Sequence, residues 1–83
     1  MNASEIQRMI EAGIPGCEVH IDGDGTHWFA EVISDAFQGL PMLKQHRLVY
    51  ATLGENMGGA IHALSIQTYT REAWANARQL KTL

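Results

Sequence analysis

A glycine-rich turn between two alternating segments constrains the fold of this chain more than any other feature. The turn is DGDG, residues 22–25. Apolar residues occupy every second position on both sides of it: Cys17, Val19 and Ile21 before the turn, and Trp28, Ala30 and Val32 after it. Glycine reaches positive φ without steric cost, so this segment can reverse the chain. The sequence therefore predicts an antiparallel β-hairpin with one buried face.

Helical patterns lie before the hairpin and directly after it. Ser4 and Gln7 form a capping-box pattern that opens a first helix of roughly residues 4–13, which Gly13 and Pro15 end. A second helix begins near Pro41 and runs through about Gly54. Its predicted apolar face contains Met42, Val49 and Leu53.

The C-terminal third contains a strand and a last helix. The run AIHALSIQTY predicts a third strand over about residues 60–68, with His62, Leu64 and Ile66 on one face. Thr70 is placed to cap a helix. The apolar stripe predicted for that helix consists of Ala73, Trp74, Ala77 and Leu80.

The predicted element order is αββαβα, which indicates an α+β fold. Because three strands make a small sheet, we expect the helices to collect on one face of a mixed three-stranded sheet. The 83 residues contain no linker, repeat or low-complexity segment, so residues 1–83 are expected to form a single domain. A chain of this length buries only about 60 to 65% of its unfolded surface, which leaves little room for a deep active-site cavity.

Composition limits the classes of function. With 46% hydrophobic and 18% charged residues, the chain is expected to fold, and its net charge of −3 gives no broad attraction to nucleic acid. The single cysteine, Cys17, cannot form an internal disulfide and is expected in the core. No basic, apolar leader and no long apolar segment occur, which predicts a cytoplasmic protein without membrane contact.

The chain contains four histidines, and two of them are candidate metal ligands. His20 is expected to be a solvated cross-strand residue, and His46 an exposed or boundary residue of the second helix. His27 opens the second strand, whereas His62 opens the third strand after Gly58 and Gly59. If both strands begin at the same end of the sheet, these two imidazoles can converge on an exposed spot. The alternative for His62 is a core histidine.

Two competing readings of the residues predict other chemistry. His20, Asp22, Asp24 and Glu31 match the ligand spacing of a calcium-binding loop, with Gly25 at its glycine position. Strand-like flanks and a histidine at the first ligand position favour a coincidence, so the two aspartates are interpreted as turn residues. No phosphate-binding loop or activated nucleophile is found, and catalysis by this chain alone is not expected.

The segments GDGTHW, FQG, QHRLVYATLGE and IHALSIQTYT occur in this order over nearly the whole chain. Together they resemble the BolA family, and the GDG-Thr-His hairpin resembles its IbaG-type acid-stress branch. The runs from Arg47 to Tyr50 and from Ile61 to Thr70 are the most characteristic. The resemblance implies a domain related to the type II KH fold. It also implies a monothiol glutaredoxin of the CGFS kind as partner, with a [2Fe-2S] cluster shared between glutaredoxin, glutathione and this chain.

The resemblance also implies the cluster ligands. The family's histidine at the start of the last strand corresponds to His62, and its loop after the first strand corresponds to His27. Beyond what the resemblance implies, we expect the glutaredoxin contacts to lie on a surface near His62 that includes Tyr50, Ala63 and the loop before it. Imidazole ligands raise the potential of such a cluster and must be unprotonated to bind, so acid would loosen it.

Two further functions and the oligomeric state stay open at this point. A KH-like fold suggests a nucleic-acid-binding regulator, with Lys44, Arg47 and Arg8 as the available basic residues. The family often has Arg-His-Arg where this chain has Gln45-His46-Arg47, which weakens the expectation of DNA binding. A zinc or copper site at His27 and His62 would have fewer protein ligands than stable zinc sites use. The free protein is compatible with a monomer or a homodimer.

Overall fold

The computed structural model describes residues 2–59, 61 and 63–81. The helices are α1 (Ala3–Gly13), α2 (Met42–Leu53) and α3 (Arg71–Lys81), and the strands are β1 (Glu18–Gly23), β2 (Trp28–Ile33) and β3 (Leu64–Tyr69). Short 3-10 turns follow β2 and α2, at Asp35–Phe37 and Gly54–Asn56. The order αββαβα and the α+β class are as predicted.

The three strands form one mixed sheet in the order β1-β2-β3. β1 and β2 are antiparallel with Asp22 opposite Phe29, which confirms the hairpin. β2 and β3 are parallel, with Trp28 opposite Leu64 and Ile33 opposite Tyr69. A parallel pair requires a crossover connection, and α2 lies in it. β2 is therefore the central strand, and β1 and β3 are the two edges.

The hydrophobic core lies between the sheet and the first two helices. Its helical members are Ile6 and Ile10 of α1 and Val49 and Leu53 of α2, all 1% exposed or less. The strands contribute Val19, Trp28, Ala30, Val32, Leu64 and Ile66. Full burial of each large aliphatic side chain stabilises the fold by about 1.5 to 3 kcal/mol, so this single layer supplies most of the apolar stabilisation.

The third helix packs on the opposite face of the sheet, which corrects the prediction that all helices share one face. Trp74 of α3 stacks on His20, with ring centroids 5.3 Å apart, and meets Tyr69 edge-on at 5.1 Å. Strand alternation places both partners away from the core. Ile33 lies on the same second face and is only 1% exposed. An apolar residue on that face requires a cover, whereas α1 and α2 already occupy the first face.

The ends of α3 and α1 differ in how well they were predicted. The Ala73 backbone N–H donates to Thr70 Oγ1 at 3.1 Å, which confirms Thr70 as the cap of α3. The cap of α1 is Asn2 rather than Ser4, because Asn2 Oδ1 accepts from the Glu5 backbone N–H at 2.9 Å. Asparagine and serine have similar cap preferences, so propensity does not separate the two positions.

Three other predictions need correction. Met42 is 69% exposed and does not belong to the apolar face of α2. β3 begins at Leu64 rather than near residue 60, because the preceding segment forms an isolated bridge between Met57 and Ile61. Ala73 is exposed instead of belonging to the buried stripe of α3.

We expect Trp74→Ala to lower the free energy of unfolding by about 1 to 3 kcal/mol, because it removes both ring contacts between α3 and the sheet. Urea denaturation followed by circular dichroism measures this change. Asn76→Ala, an exposed position of the same helix, is the control. Equal stability of the two variants would contradict the packing of α3 described above.

Candidate functional site

The turn of the hairpin is organised by one carboxylate. Asp24 Oδ1 accepts hydrogen bonds from Thr26 Oγ1 at 2.8 Å and from the Thr26 and His27 backbone N–H groups at 2.9 Å each. The Asp24 backbone N–H donates to the His27 carbonyl at 3.2 Å. Asp24 therefore fixes the backbone of His27 at the entrance to β2. This confirms the interpretation of Asp24 as a turn residue.

These donors also keep Asp24 ionised. Hydrogen bonds from the His27 backbone, the Thr26 side chain and the Thr26 backbone, in that order of size, hold the pKa of the Asp24 carboxyl far below its usual range. The turn consequently retains its charge at pH values where histidine is protonated.

Glycine at position 23 is required by close packing inside the turn. A Cβ atom there would collide with the His27 carbonyl oxygen and with Cε3 of Trp28. Gly25 has a φ of 96°, in the region that favours glycine. The two glycines of GDGTH thus allow the tight path that places His27 before Trp28.

His27 is exposed at the end of the hairpin. Its Nδ1 lies 3.3 Å from Thr26 Oγ1, while Nε2 has no hydrogen-bond partner among the described residues. A partly oriented imidazole with one open nitrogen is suited to binding a metal from another molecule. His27 thus presents one open ring nitrogen in an accessible position.

The parallel pairing brings the beginning of β3 to the same end of the sheet as His27. The Trp28 backbone N–H donates to the Ala63 carbonyl at 2.9 Å, which joins the residue after His27 to the residue after position 62. Convergence requires that both strands begin at the same end of the sheet, and this condition is met. His62 itself lies outside the described residues, so the meeting of the two rings stays a prediction.

The segment before position 62 is held by backbone hydrogen bonds. The Ile61 N–H donates to the Asn56 carbonyl and its carbonyl accepts from the Gly58 N–H, both at 2.8 Å. The Ile61 side chain is completely buried. Tyr50, one of the residues expected near the partner, is half-buried, and its hydroxyl donates to the Leu64 carbonyl at 3.4 Å. The segment that leads to this end of the sheet is thus held by hydrogen bonds.

The other two histidines lie elsewhere. His20 is exposed as predicted, but its contacts are the stack on Trp74 and a hydrogen bond to Glu18 of its own strand. His46 is half-buried on α2 and lines a groove beside β3. Neither one joins His27 in a site.

Cys17 was expected in the core, but it is half-buried and packs against the margin of the core. Burial, together with the charge of Glu11, raises the pKa of its thiol, which disfavours the reactive thiolate. In the part of the chain that the structure describes, no three His, Cys, Asp or Glu side chains are grouped to hold a metal ion. His27 is thus not part of a complete metal site within those residues.

Sequence reasoning missed a groove of about 410 Å³ between α2 and β3. It is lined by Met42, His46, Ile66, Gln67, Thr68 and Tyr69. The helical pattern placed Met42 on the apolar face of α2, so it did not predict that Met42 lines a groove at the surface.

The described helices include none that is long and apolar enough to cross a membrane.

Comparisons with known proteins agree on one family. The family model described as BolA-like protein matches residues 5–73. The chain is 36% identical to the acid stress protein IbaG of Escherichia coli over 81 residues, which cover 96% of each. It is 47% identical to human BolA-like protein 1 over 60 residues, 72% of this chain. Those residues span only 44% of that relative's length.

Two further matches bear on structure and function. The structure of a BolA protein homologue from Coxiella burnetii superposes with a TM-score of 0.83 at 39% identity, covering 90% of this chain and 97% of that one. The DNA-binding transcriptional regulator BolA of Escherichia coli is 38% identical over 52 residues, 63% of this chain and 50% of the relative. The structural match supports the α+β fold over almost the entire length.

We expect Asp24→Asn to be less stable than the parent chain at neutral pH, because the amide is uncharged and accepts these hydrogen bonds less strongly. A carboxyl whose pKa is lowered by folding stabilises the fold above its unfolded pKa, near 3.9. That contribution declines as the pH falls below this value toward the folded pKa. Urea denaturation of both proteins between neutral and strongly acidic pH should show the difference shrinking. A difference that is constant over this range would contradict the assignment.

Proposed function

The chain belongs to the BolA family, and on this premise we propose that it is a non-enzymatic partner of a monothiol glutaredoxin. In this proposal it contributes His62 and His27 as ligands to a [2Fe-2S] cluster shared with glutaredoxin and glutathione. The role would serve iron–sulfur cluster trafficking or regulation in response to iron, redox state or acid. The location would be the cytoplasm.

The observation that carries the proposal is the hydrogen bond from Trp28 N to Ala63 O. It ties together the two chain segments that contain His27 and His62. The parallel register of β2 and β3 extends from this bond to Tyr69, so the tie is part of the sheet and not a loop contact. Backbone pairing at this end of the sheet supports a site that needs one ligand from each segment.

The described residues fit a shared cluster better than a resident one. His27 offers an open, exposed nitrogen, whereas Cys17 is half-buried and has a raised thiol pKa. A [2Fe-2S] cluster takes four protein or thiol ligands, and imidazoles replace at most two of them in the known His-ligated centres. This chain would therefore hold one iron, and the partner's thiolates the other.

When bound, the cluster supplies electron transfer or delivery of iron and sulfide. The chain's own contribution is to orient His27 through the Asp24 turn. Because only the neutral ring binds iron, acid would loosen this chain's hold on the cluster. The Asp24 turn would still be charged at that point.

We expect His62→Ala to abolish the visible circular dichroism bands that the parent chain gives when reconstituted with a monothiol glutaredoxin, glutathione, iron and sulfide. His27→Ala should weaken or shift the bands. His46→Ala, on α2, is the control and should retain the parent spectrum. If His62→Ala gives the same spectrum as the parent, the ligand assignment is wrong.

A second candidate function is nucleic-acid binding. Lys44 and Arg47 are exposed on α2 and form no ion pair with another described residue. The relative named as a DNA-binding transcriptional regulator also suggests this role. Two cations on a chain of net charge −3 would give weak, strongly salt-dependent binding.

Fluorescence titration with double-stranded DNA tests this candidate. Two phosphate contacts predict a slope of about −2 for log affinity against log salt concentration. The Lys44→Gln, Arg47→Gln double variant should then lose binding, while Arg8→Gln retains it. Sequence-selective binding at physiological salt would place this function ahead of the cluster role, and absence of binding would remove it.

A further inference from the structure

A second groove, of about 340 Å³, lies on α2 and is separate from the groove beside β3. It is lined by Leu40, Lys44, Arg47 and Leu48. Lys44, Arg47 and Leu48 are three and four residues apart, so their side chains lie on one face of the helix. Leu40 belongs to the chain just before the helix. These four residues define the α2 groove, which combines two apolar and two cationic side chains.

The position of Leu40 beside the helix is fixed by Gln45. The Gln45 side-chain amide donates to the Leu40 carbonyl at 2.8 Å and to the Phe37 carbonyl at 3.3 Å. The Leu40 N–H also donates to the Phe37 carbonyl, at 3.0 Å, and the Phe37 side chain is completely buried. The α2 groove is therefore formed before a ligand arrives, which lowers the ordering cost of binding.

The two cations of the α2 groove have no carboxylate partner in the described part of the chain. Lys44 and Arg47 are exposed, and the ion pairs among the described residues involve other side chains. The helix contains Lys44, His46 and Arg47 and no acidic residue, although the whole chain has a net charge of −3. The groove is thus a local positive site that attracts anionic groups.

The leucines of the α2 groove distinguish its ligand from nucleic acid, which would use the same two cations. Leu48 is 41% exposed and Leu40 is half-buried. A sugar–phosphate backbone would pair with the cations but leave the leucines uncovered. Unpaired bases bind proteins by stacking on aromatic rings, and the groove is lined by none. A ligand that fits all four residues therefore carries an apolar group next to its anionic groups.

The shape of the α2 groove favours a protein segment over a free apolar anion. Sites for small molecules usually bury most of the ligand surface. The three helical residues of this groove are exposed, so it would cover a small molecule on one side only. A protein segment inserts an apolar side chain and covers the groove from outside with its own backbone. Two copies joined face to face through α2 would instead bring Lys44 and Arg47 of each copy together, and these charges repel.

We propose that the α2 groove binds a short segment of a partner protein in which a large apolar residue is flanked by acidic residues. The apolar side chain packs between Leu40 and Leu48. Acidic side chains pair with Lys44 and Arg47, and the guanidinium of Arg47 can bind a carboxylate through two parallel hydrogen bonds.

This site is independent of the end of the sheet at which His27 lies. Gln45, the neighbour of Lys44, accepts a hydrogen bond from Thr68 Oγ1 at 2.6 Å, near the last residue of β3. Trp28, the neighbour of His27, pairs instead with Leu64, the first residue of β3. Binding at the α2 groove therefore does not require the cluster ligands.

The probe is a hexapeptide with two central leucines between two pairs of glutamates. It is blocked at both ends, labelled for fluorescence anisotropy and titrated into the full chain. Peptides with serine in place of leucine, or glutamine in place of glutamate, should each bind about tenfold more weakly, because each loses one part of the recognition. Amide chemical-shift changes in NMR spectra should concentrate on Leu40 and on residues 44–48.

Variants of the chain separate the apolar and the charged contributions. Leu48→Ala should weaken peptide binding about tenfold without changing its salt dependence, because it removes only apolar contact. Lys44→Gln should weaken binding and also reduce the salt dependence, because it removes one charge. Leu43→Ala and Arg8→Gln are the matched controls and should bind as the parent does. Leu43 and Arg8 are also exposed but do not line the groove.

All four substituted positions are exposed, so the variants should fold, and far-ultraviolet circular dichroism verifies this. The proposal is wrong if the leucine–glutamate peptide does not bind at millimolar concentration, or if each groove variant binds it as its control does. Binding of dodecanoate or of a thymidine oligomer at the groove in place of the peptide would assign the site to lipid anions or to nucleic acid. A dimer that Leu48→Ala dissociates would assign it to a second copy.

Discussion

The parallel pairing of β2 with β3 is the interaction on which the candidate site depends. Without it, the segments containing His27 and His62 would be connected only through the long crossover that includes α2. The bond from Trp28 N to Ala63 O is the first rung of this pairing, and the bond from Ser34 N to Tyr69 O lies beyond its far end. Burial of Ala30, Val32 and Ile66 beneath α1 and α2 stabilises the same two strands. Core packing and site geometry are thus coupled.

Most of the fold could be predicted because local patterns and tertiary packing agree in this chain. The alternation around DGDG gave the hairpin, and Thr70 gave the start of α3, since both signals act within a few residues. The side of the sheet that α3 occupies depends on which face still needs a cover. The apolar residues Ile33 and Phe29 on the second face of β2 indicate that this face is covered. The element order αββαβα alone does not show which helix covers it.

The candidate site was less accessible to sequence reasoning than the fold. The candidate histidines could be identified from the sequence. That β2 and β3 begin at the same end of the sheet followed only from their parallel register. The partners of His20 were not predictable, because Trp74 reaches it from a distant helix. The β3 groove was missed since Met42 matches the apolar period of α2 yet points to solvent.

Pulsed electron paramagnetic resonance of the reduced shared cluster tests the central claim most directly. The cluster is assembled with glutaredoxin and glutathione while only this chain carries ¹⁵N-labelled histidine. The account predicts hyperfine coupling to directly bound ¹⁵N that disappears in His62→Ala and is reduced in His27→Ala. A cluster that forms with this chain but shows no histidine ¹⁵N coupling would contradict it.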